Sequence, residues 1–279
     1  MTGLLKADFR RVFKDKLLLV MVILAAVFAS ITPLLYALMT AGMGELTDEM
    51  TKEALAAMYS SKSQFFQSFS IGNNLGLIAP VLLAIVLCKD FSFGTIRNKI
   101  IAGKSRSQIF LSLFITCSVV LVYVMFLHAF ITLGISLIFF EYQPDPFTAA
   151  DLGYFFQSLL FELLTLLFVS AMLSWLCASR KNVGLVIVLY IAIAFVLVIA
   201  GSIIQVSASV MESLGGNETT VSVLRFLDRI NVVSSSTYYI GMGESYELED
   251  VLYLTIPALA GIAGFLGLGI LKFNKKDFK

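Results

Sequence analysis

Six stretches of the chain, each about 20 residues or more, are almost free of charged side chains, at about 17–39, 69–88, 109–140, 152–178, 183–204 and 251–271. A helix needs about 20 residues to cross roughly 30 Å of hydrocarbon. Pro33 lies near the far end of the first stretch. The second holds Asn73 and Asn74 in its first turns and Pro80 in its middle. The third carries His128 as its only ionisable residue, and Glu162 interrupts the fourth. A closed barrel also satisfies backbone groups in lipid, but its strands alternate apolar and polar positions. Runs such as Val183-Gly184-Leu185-Val186-Ile187-Val188-Leu189 do not alternate. The expected fold is therefore all-α and integral to a membrane, with six transmembrane helices in a single domain over residues 1–279.

The polar intervals add smaller elements. At the N-terminus Leu5, Phe9 and Phe13 recur every four residues with Val12 beside them, while Lys6, Arg10, Arg11 and Lys14 fill the rest of the circumference. That pattern predicts an interfacial helix over 3–15, its apolar stripe in the lipid and its cations near phosphates. Leu46, Met50, Leu55 and Met58, at near-helical spacings beginning at the cap candidate Thr47, suggest a helix between the first two spans. Val221, Leu224 and Leu227 with Arg225, Asp228 and Arg229 suggest a short amphipathic helix after the punctuation at Gly215-Gly216. Asn217-Glu218-Thr219 is a glycosylation sequon, a triplet that also arises by chance. The first apolar stretch, about 23 residues with no A-x-A-type site, reads as a span and not as a signal-peptide core of 7–15.

Charge gives the orientation. Sixteen of the 20 Lys and Arg residues fall in the N-terminal segment, the 89–108 loop, the Arg180-Lys181 loop and the C-terminal tail; only Lys52, Lys62, Arg225 and Arg229 fall on the other side. Basic residues favour the cytoplasmic side, so both termini are expected in the cytoplasm, in a multi-pass protein of the plasma membrane. Composition agrees: 58% hydrophobic, 14% charged, and a mean hydropathy of +0.90, against about 45–50% and about 25% in soluble domains. A net charge of +1 gives no pull on nucleic acid, and none is expected as a partner. Cys88, Cys117 and Cys177 lie toward the cytoplasmic ends of spans, where thiols stay reduced, and no Cys/His cluster suggests a metal.

The loop from Lys89 to Arg106 carries the most information. Phe93, Ile96, Ile100 and Ile101 are apolar at helical spacing, with Arg97, Asn98 and Lys99 between them. Such a helix could dock in a partner's groove or pack on the inner membrane surface. Gly103-Lys104-Ser105 ends like a phosphate-binding loop, but that motif needs a glycine where Asn98 stands and a strand before it. The order Asp90, three spacers, Gly94-Thr95-Ile96-Arg97-Asn98, then Ser105-Arg106 resembles the signature after the second helix of type-2 ABC transporter permeases. The six spans, the basic N-terminal helix and the lack of an ATPase domain are similar to that family across the whole chain. Members often carry a Lys entering the third helix; here residues 109–113 offer only Ser112.

The resemblance implies one transmembrane half of an exporter, paired with a second, identical permease subunit and two separate ATPase subunits. The chain itself would bind no cofactor and perform no catalysis; ATP and Mg would sit on the partner. Phe93, Gly94, Thr95, Ile96, Arg97, Asn98 and Arg106 would meet the ATPase subunit. Phe93 and Ile96 would dock, Arg97 would supply charge, and Gly94 would make the turn that starts a coupling helix.

Inside the spans, Glu162 is the notable group, because an embedded acid costs at least about 2.5–3.5 kcal/mol. It marks either a polar point on the substrate path or dimer seam, or a structural hydrogen bond to His128, Asn73 or Asn74. His128 is expected to be a packed histidine. Ala260-x3-Gly264 and Ala263-x3-Gly267 put small residues on one face of the last span, which suits close packing in the core. A stand-alone membrane enzyme would need clustered catalytic groups, and an ion-coupled carrier or channel, the main alternative, several intramembrane charges. An exporter of hydrophobic or amphipathic molecules, such as antimicrobial or cytolytic peptides, fits a midplane with so few charges.

Overall fold

In the computed structural model, residues 1–43, 60–92, 94–140, 148–180, 182–241 and 248–275 are described. They form eleven helices, with no strand among the described residues. In order these are α1 (Thr2–Val12), α2 (Lys16–Met43), α3 (Ser61–Gln67), α4 (Ala79–Ser92), α5 (Thr95–Ile101), α6 (Arg106–Phe139), α7 (Ala149–Ser179), α8 (Val183–Ser213), α9 (Glu218–Ile230), α10 (Val232–Gly241) and α11 (Leu248–Lys275). Five of them, α2, α6, α7, α8 and α11, are long and apolar enough to cross a membrane. The chain is thus an all-helical, multi-pass membrane-embedded protein. The helix expected from Leu46 to Met58 falls outside the described residues.

Local chemistry sets the boundaries. Ser105 and Gln108 form a capping box at the start of α6, as Thr148 and Asp151 do for α7; each box satisfies backbone donors that a helix start leaves open. The α8 helix runs past the expected exit near Ile204 to Ser213. It stops where Gly215 takes a left-handed φ of 68° and the Gly216 N–H reaches the Met211 carbonyl at 2.8 Å, a glycine termination. Asn217, the sequon residue, caps α9 by accepting from the Thr219 N–H at 2.9 Å.

Helices α6 and α7 are central: 61% of each apolar stretch is buried, against 28% for α2 and 17% for α8 and α11. Helix α2 packs along α6, and α11 along α7. The contacts of α11 with α6 and α7 depend on glycines other than those the small-residue pattern picks out. A Cβ on Gly269 would lie 2.2 Å from the Phe110 ring, and one on Gly261 2.4 Å from the Phe168 ring, whereas Gly264 and Gly267 have nothing within 4 Å. Ala260, Ala263, Gly264 and Gly267 are exposed on the surface of this chain, so they do not serve its core. Because Phe110 is fully buried and cannot swing away, Gly269→Val is expected to cost about 3 kcal/mol by overpacking. Gly264→Val should change stability by no more than about 0.5 kcal/mol; thermal unfolding of the purified protein in detergent distinguishes the two.

The stretch expected as a continuous span over 69–88 is not one helix. Residues 68–78 are a chain of turns, and α4 begins at Ala79. Pro80 explains the start: it lacks an N–H and would clash with the preceding turn inside a helix, but the first turn tolerates it. Non-helical backbone at membrane depth is stable only when buried in protein, and Phe69 and Ile71 are 0% exposed and Leu75 2%. Beyond α4 the path bends by 52° into α5.

Candidate functional site

Helix α6 has 34 residues, about 51 Å at 1.5 Å per residue, and so exceeds the hydrocarbon thickness. The Thr132 hydroxyl meets the Ala29 carbonyl, which sets α2 far along α6 and leaves the first turns of α6 projecting beyond the start of α2. Helices α1 and α5 pack on that projection.

The face of α1 that meets the bundle is Leu4, Asp8 and Val12, all buried. Asp8, 1% exposed, accepts from the Ser112 hydroxyl at 2.6 Å and from the Lys99 ammonium at 2.6 Å. Lys99 also lies 3.4 Å from Asp90, which is 0% exposed and pairs with Arg11. Lys89 completes the cluster by donating to Asp15 at 2.8 Å. The N-terminal helix is therefore tied to α4, α5 and α6 together. Leu5 and Phe9 are half-buried, and Phe13 is exposed with its ring 5.9 Å from that of Tyr123. The stripe legible as lipid-facing is the outer one; the protein-facing stripe contains an acid and escapes an apolar pattern. Burial lowers the Arg11 guanidinium from its ordinary value, with Asp8 and Asp15 working against that shift. Burial would raise the Asp15 carboxyl, but the Lys89 ammonium and the Leu17 N–H hold it below the ordinary range.

Helix α5 is presented by this clamp. Gly94 caps it in a left-handed conformation, φ 69°, which a side chain would strain, and Gly103, φ 78°, ends the turn after it. Ile96 does not face outward as expected: it is 1% exposed and closes α5 onto the core. The outward face holds Arg97, Asn98 and Ile101, the last 73% exposed, while Thr95 is half-buried. Arg106 donates to the Asn274 carbonyl at 2.5 Å, joining the start of α6 to the end of α11. Phe93 lies outside the described residues.

Of the intramembrane candidates, the structure joins Glu162 to Asn74 and leaves Asn73 and His128 elsewhere. Glu162, 0% exposed and midway along α7, accepts from the Asn74 side-chain amide at 2.9 Å and from the Ile71 N–H. Asn74 also donates to the Phe69 carbonyl at 3.3 Å, and its Oδ1 accepts from the Gly76 N–H at 2.6 Å. The acid thus supplies an acceptor to the turn segment that lacks helical partners of its own. An apolar groove of about 420 Å³ opens between α2, α8 and α4 with the turns before it, lined by Leu24, Leu77, Val81, Tyr190, Ala194 and Phe195 among others. The Tyr190 hydroxyl is turned away into the Leu77 carbonyl at 3.1 Å. The thiols of Cys88 and Cys177 meet at 3.5 Å across α4 and α7, and Cys88, Cys117 and Cys177 are buried and not in disulfides.

The cluster of Asp8, Arg11, Lys99 and Ser112 is the part of this site that sequence reasoning missed. A lone acid in an otherwise basic amphipathic helix, with Ser112 the one polar residue in the stretch 109–113, was the available signal. Compared with known proteins, the chain matches no family model, and no curated protein sequence matches it.

Proposed function

We propose that the chain is the membrane-spanning subunit of an ATP-driven exporter, coupled to a separate ATPase through α5. The observation that carries the reading is the construction of α5: a two-turn helix set off by Gly94, fixed from behind by Ile96 and Lys99, with Arg97, Asn98 and Ile101 facing away from the bundle. A short rigid element on an ionic anchor can pass a partner's rigid-body motion into α4 and α6, and the order of residues from Asp90 to Arg106 resembles the type-2 permease signature. In this reading α4, with the turns before it, is the sixth crossing, and both termini lie in the cytoplasm of a plasma-membrane protein. Two such chains, identical to one another, assemble with two ATPase subunits that hold ATP and Mg. The wholly apolar character of the groove between α2, α4 and α8 favours a hydrophobic or amphipathic cargo, antimicrobial or cytolytic peptides among the candidates. An ion-coupled carrier is the less supported reading, since the Asn74 amide already occupies one oxygen of Glu162.

Co-purification in detergent with the ATPase encoded nearby tests the reading. The wild-type chain should retain the ATPase, and Arg97→Glu and Ile101→Asp, both on the exposed face, should lose it by about tenfold or more, as for a desolvated contact of about 1.4 kcal/mol or above. A well-folded chain that never retains an ATPase would overturn the exporter reading.

A further inference from the structure

A second polar site lies apart from the clamp and from Glu162, near the far ends of α2 and α6. It is a small cavity of about 30 Å³ whose lining includes Thr32, Tyr36, Gln64, Asn73, His128 and Thr132. Thr32, Tyr36, His128 and Thr132 belong to the apolar helices α2 and α6, where an unsatisfied polar group costs several kcal/mol, while Gln64 lies on α3 and Asn73, which is exposed, on the turns after it. Some of these groups are already engaged: Thr132 donates to the Ala29 carbonyl, and the Asn73 amide to the Gln67 carbonyl at 3.1 Å. His128 is not. It is 2% exposed, and neither ring nitrogen meets a hydrogen-bond partner among the described residues. Buried polar groups are nearly always bonded to protein or to ordered water, and a neutral imidazole brings one donor and one acceptor.

Three properties identify the ligand. The volume suits one or two waters, each needing about 10–15 Å³ of such space and two to four polar partners, and is too small for a larger molecule. Among the described residues the lining carries no carboxylate and no cysteine, so an ion finds no opposite charge among them. No group of three or more His, Cys, Asp or Glu that could hold a metal occurs among the described residues.

We infer that this cavity is a hydration site, in which ordered water bridges the two nitrogens of His128 to the surrounding amides and hydroxyls. His128 is then a solvated group inside the bundle and not a histidine packed dry among apolar side chains.

X-ray hydroxyl-radical footprinting of the full chain, read by mass spectrometry, tests this directly, because radicals formed from bound water oxidise the side chains beside it. His128, 2% exposed, should be modified roughly tenfold faster than Phe110 or Phe161, which are about as buried but line no such polar cavity. In His128→Phe the Tyr36 signal should fall, since the water loses its main partner. Labelling of His128 as slow as that of Phe110 in the folded wild-type chain would overturn the proposal; this comparison needs no variant to fold.

Discussion

Asp90→Asn is expected to destabilise the protein by about 3 kcal/mol, because removing one member of a buried ion pair leaves the others without compensation. Asp90 is 0% exposed and faces Arg11 and Lys99. With its charge gone, Lys99 is left with Asp8, and Arg11 with the charges of Asp8 and Asp15. Lys99→Met should have a similar effect for the opposite reason, since Asp8 and Asp90 then face each other with only Arg11 between them. The measurement is the unfolding midpoint of each purified variant in mild detergent, together with a double-mutant cycle. If the cluster acts as one unit, Asp90→Asn combined with Arg11→Gln will cost clearly less than the sum of the two single changes. A loss under about 0.5 kcal/mol for Asp90→Asn would mean that the cluster behaves like an exposed pair and does not hold α1 in place.

Glu162 separates shape from charge. Glu162→Leu removes the acceptor of the Asn74 amide and the Ile71 N–H, and each buried donor left unpaired costs about 1–3 kcal/mol. A loss of roughly 2–5 kcal/mol is therefore expected from the same principle. Glu162→Gln keeps a carbonyl oxygen in the same place and should lose less than about 1 kcal/mol. Were the Gln variant as unstable as the Leu variant, the carboxyl group itself would be the requirement. If Gln folds normally but export in reconstituted vesicles stops, the acid has a role beyond supporting the turn segment.

Most of the helical architecture was legible in the sequence, because a span announces itself by length and apolarity and its ends by Ser, Thr, Asn and Gly. Ser105, Thr148, Asn182 and Gly215 stand at or beside the boundaries of α6, α7 and α8 for those reasons. The broken segment at 68–78 was only half legible. Pro80, Asn73 and Asn74 marked it as irregular, but composition cannot distinguish a kinked helix from buried turns. That distinction depends on Glu162, 88 residues away. The face of α5 was misread at Ile96 because an amphipathic pattern says which residues share a side, not whether that side meets a partner or the protein's own core. Asp8 was passed over for a related reason: its value lies in Lys99 and Ser112, and nothing near it in the chain points to them.

The clamp on α1 also bears on biogenesis. Its contacts join residues 74, 91 and 104 positions apart. At about 5–20 residues added per second, Asp8 waits on the order of ten seconds for Ser112 to be made. During that time α1 has none of these partners. Docking of Asp8 is then a checkpoint: it can occur only after α4, α5 and α6 have been synthesised and correctly placed. A nascent chain with a mis-inserted second hairpin would keep an unmatched acid in its first helix, a feature by which membrane quality control can recognise it.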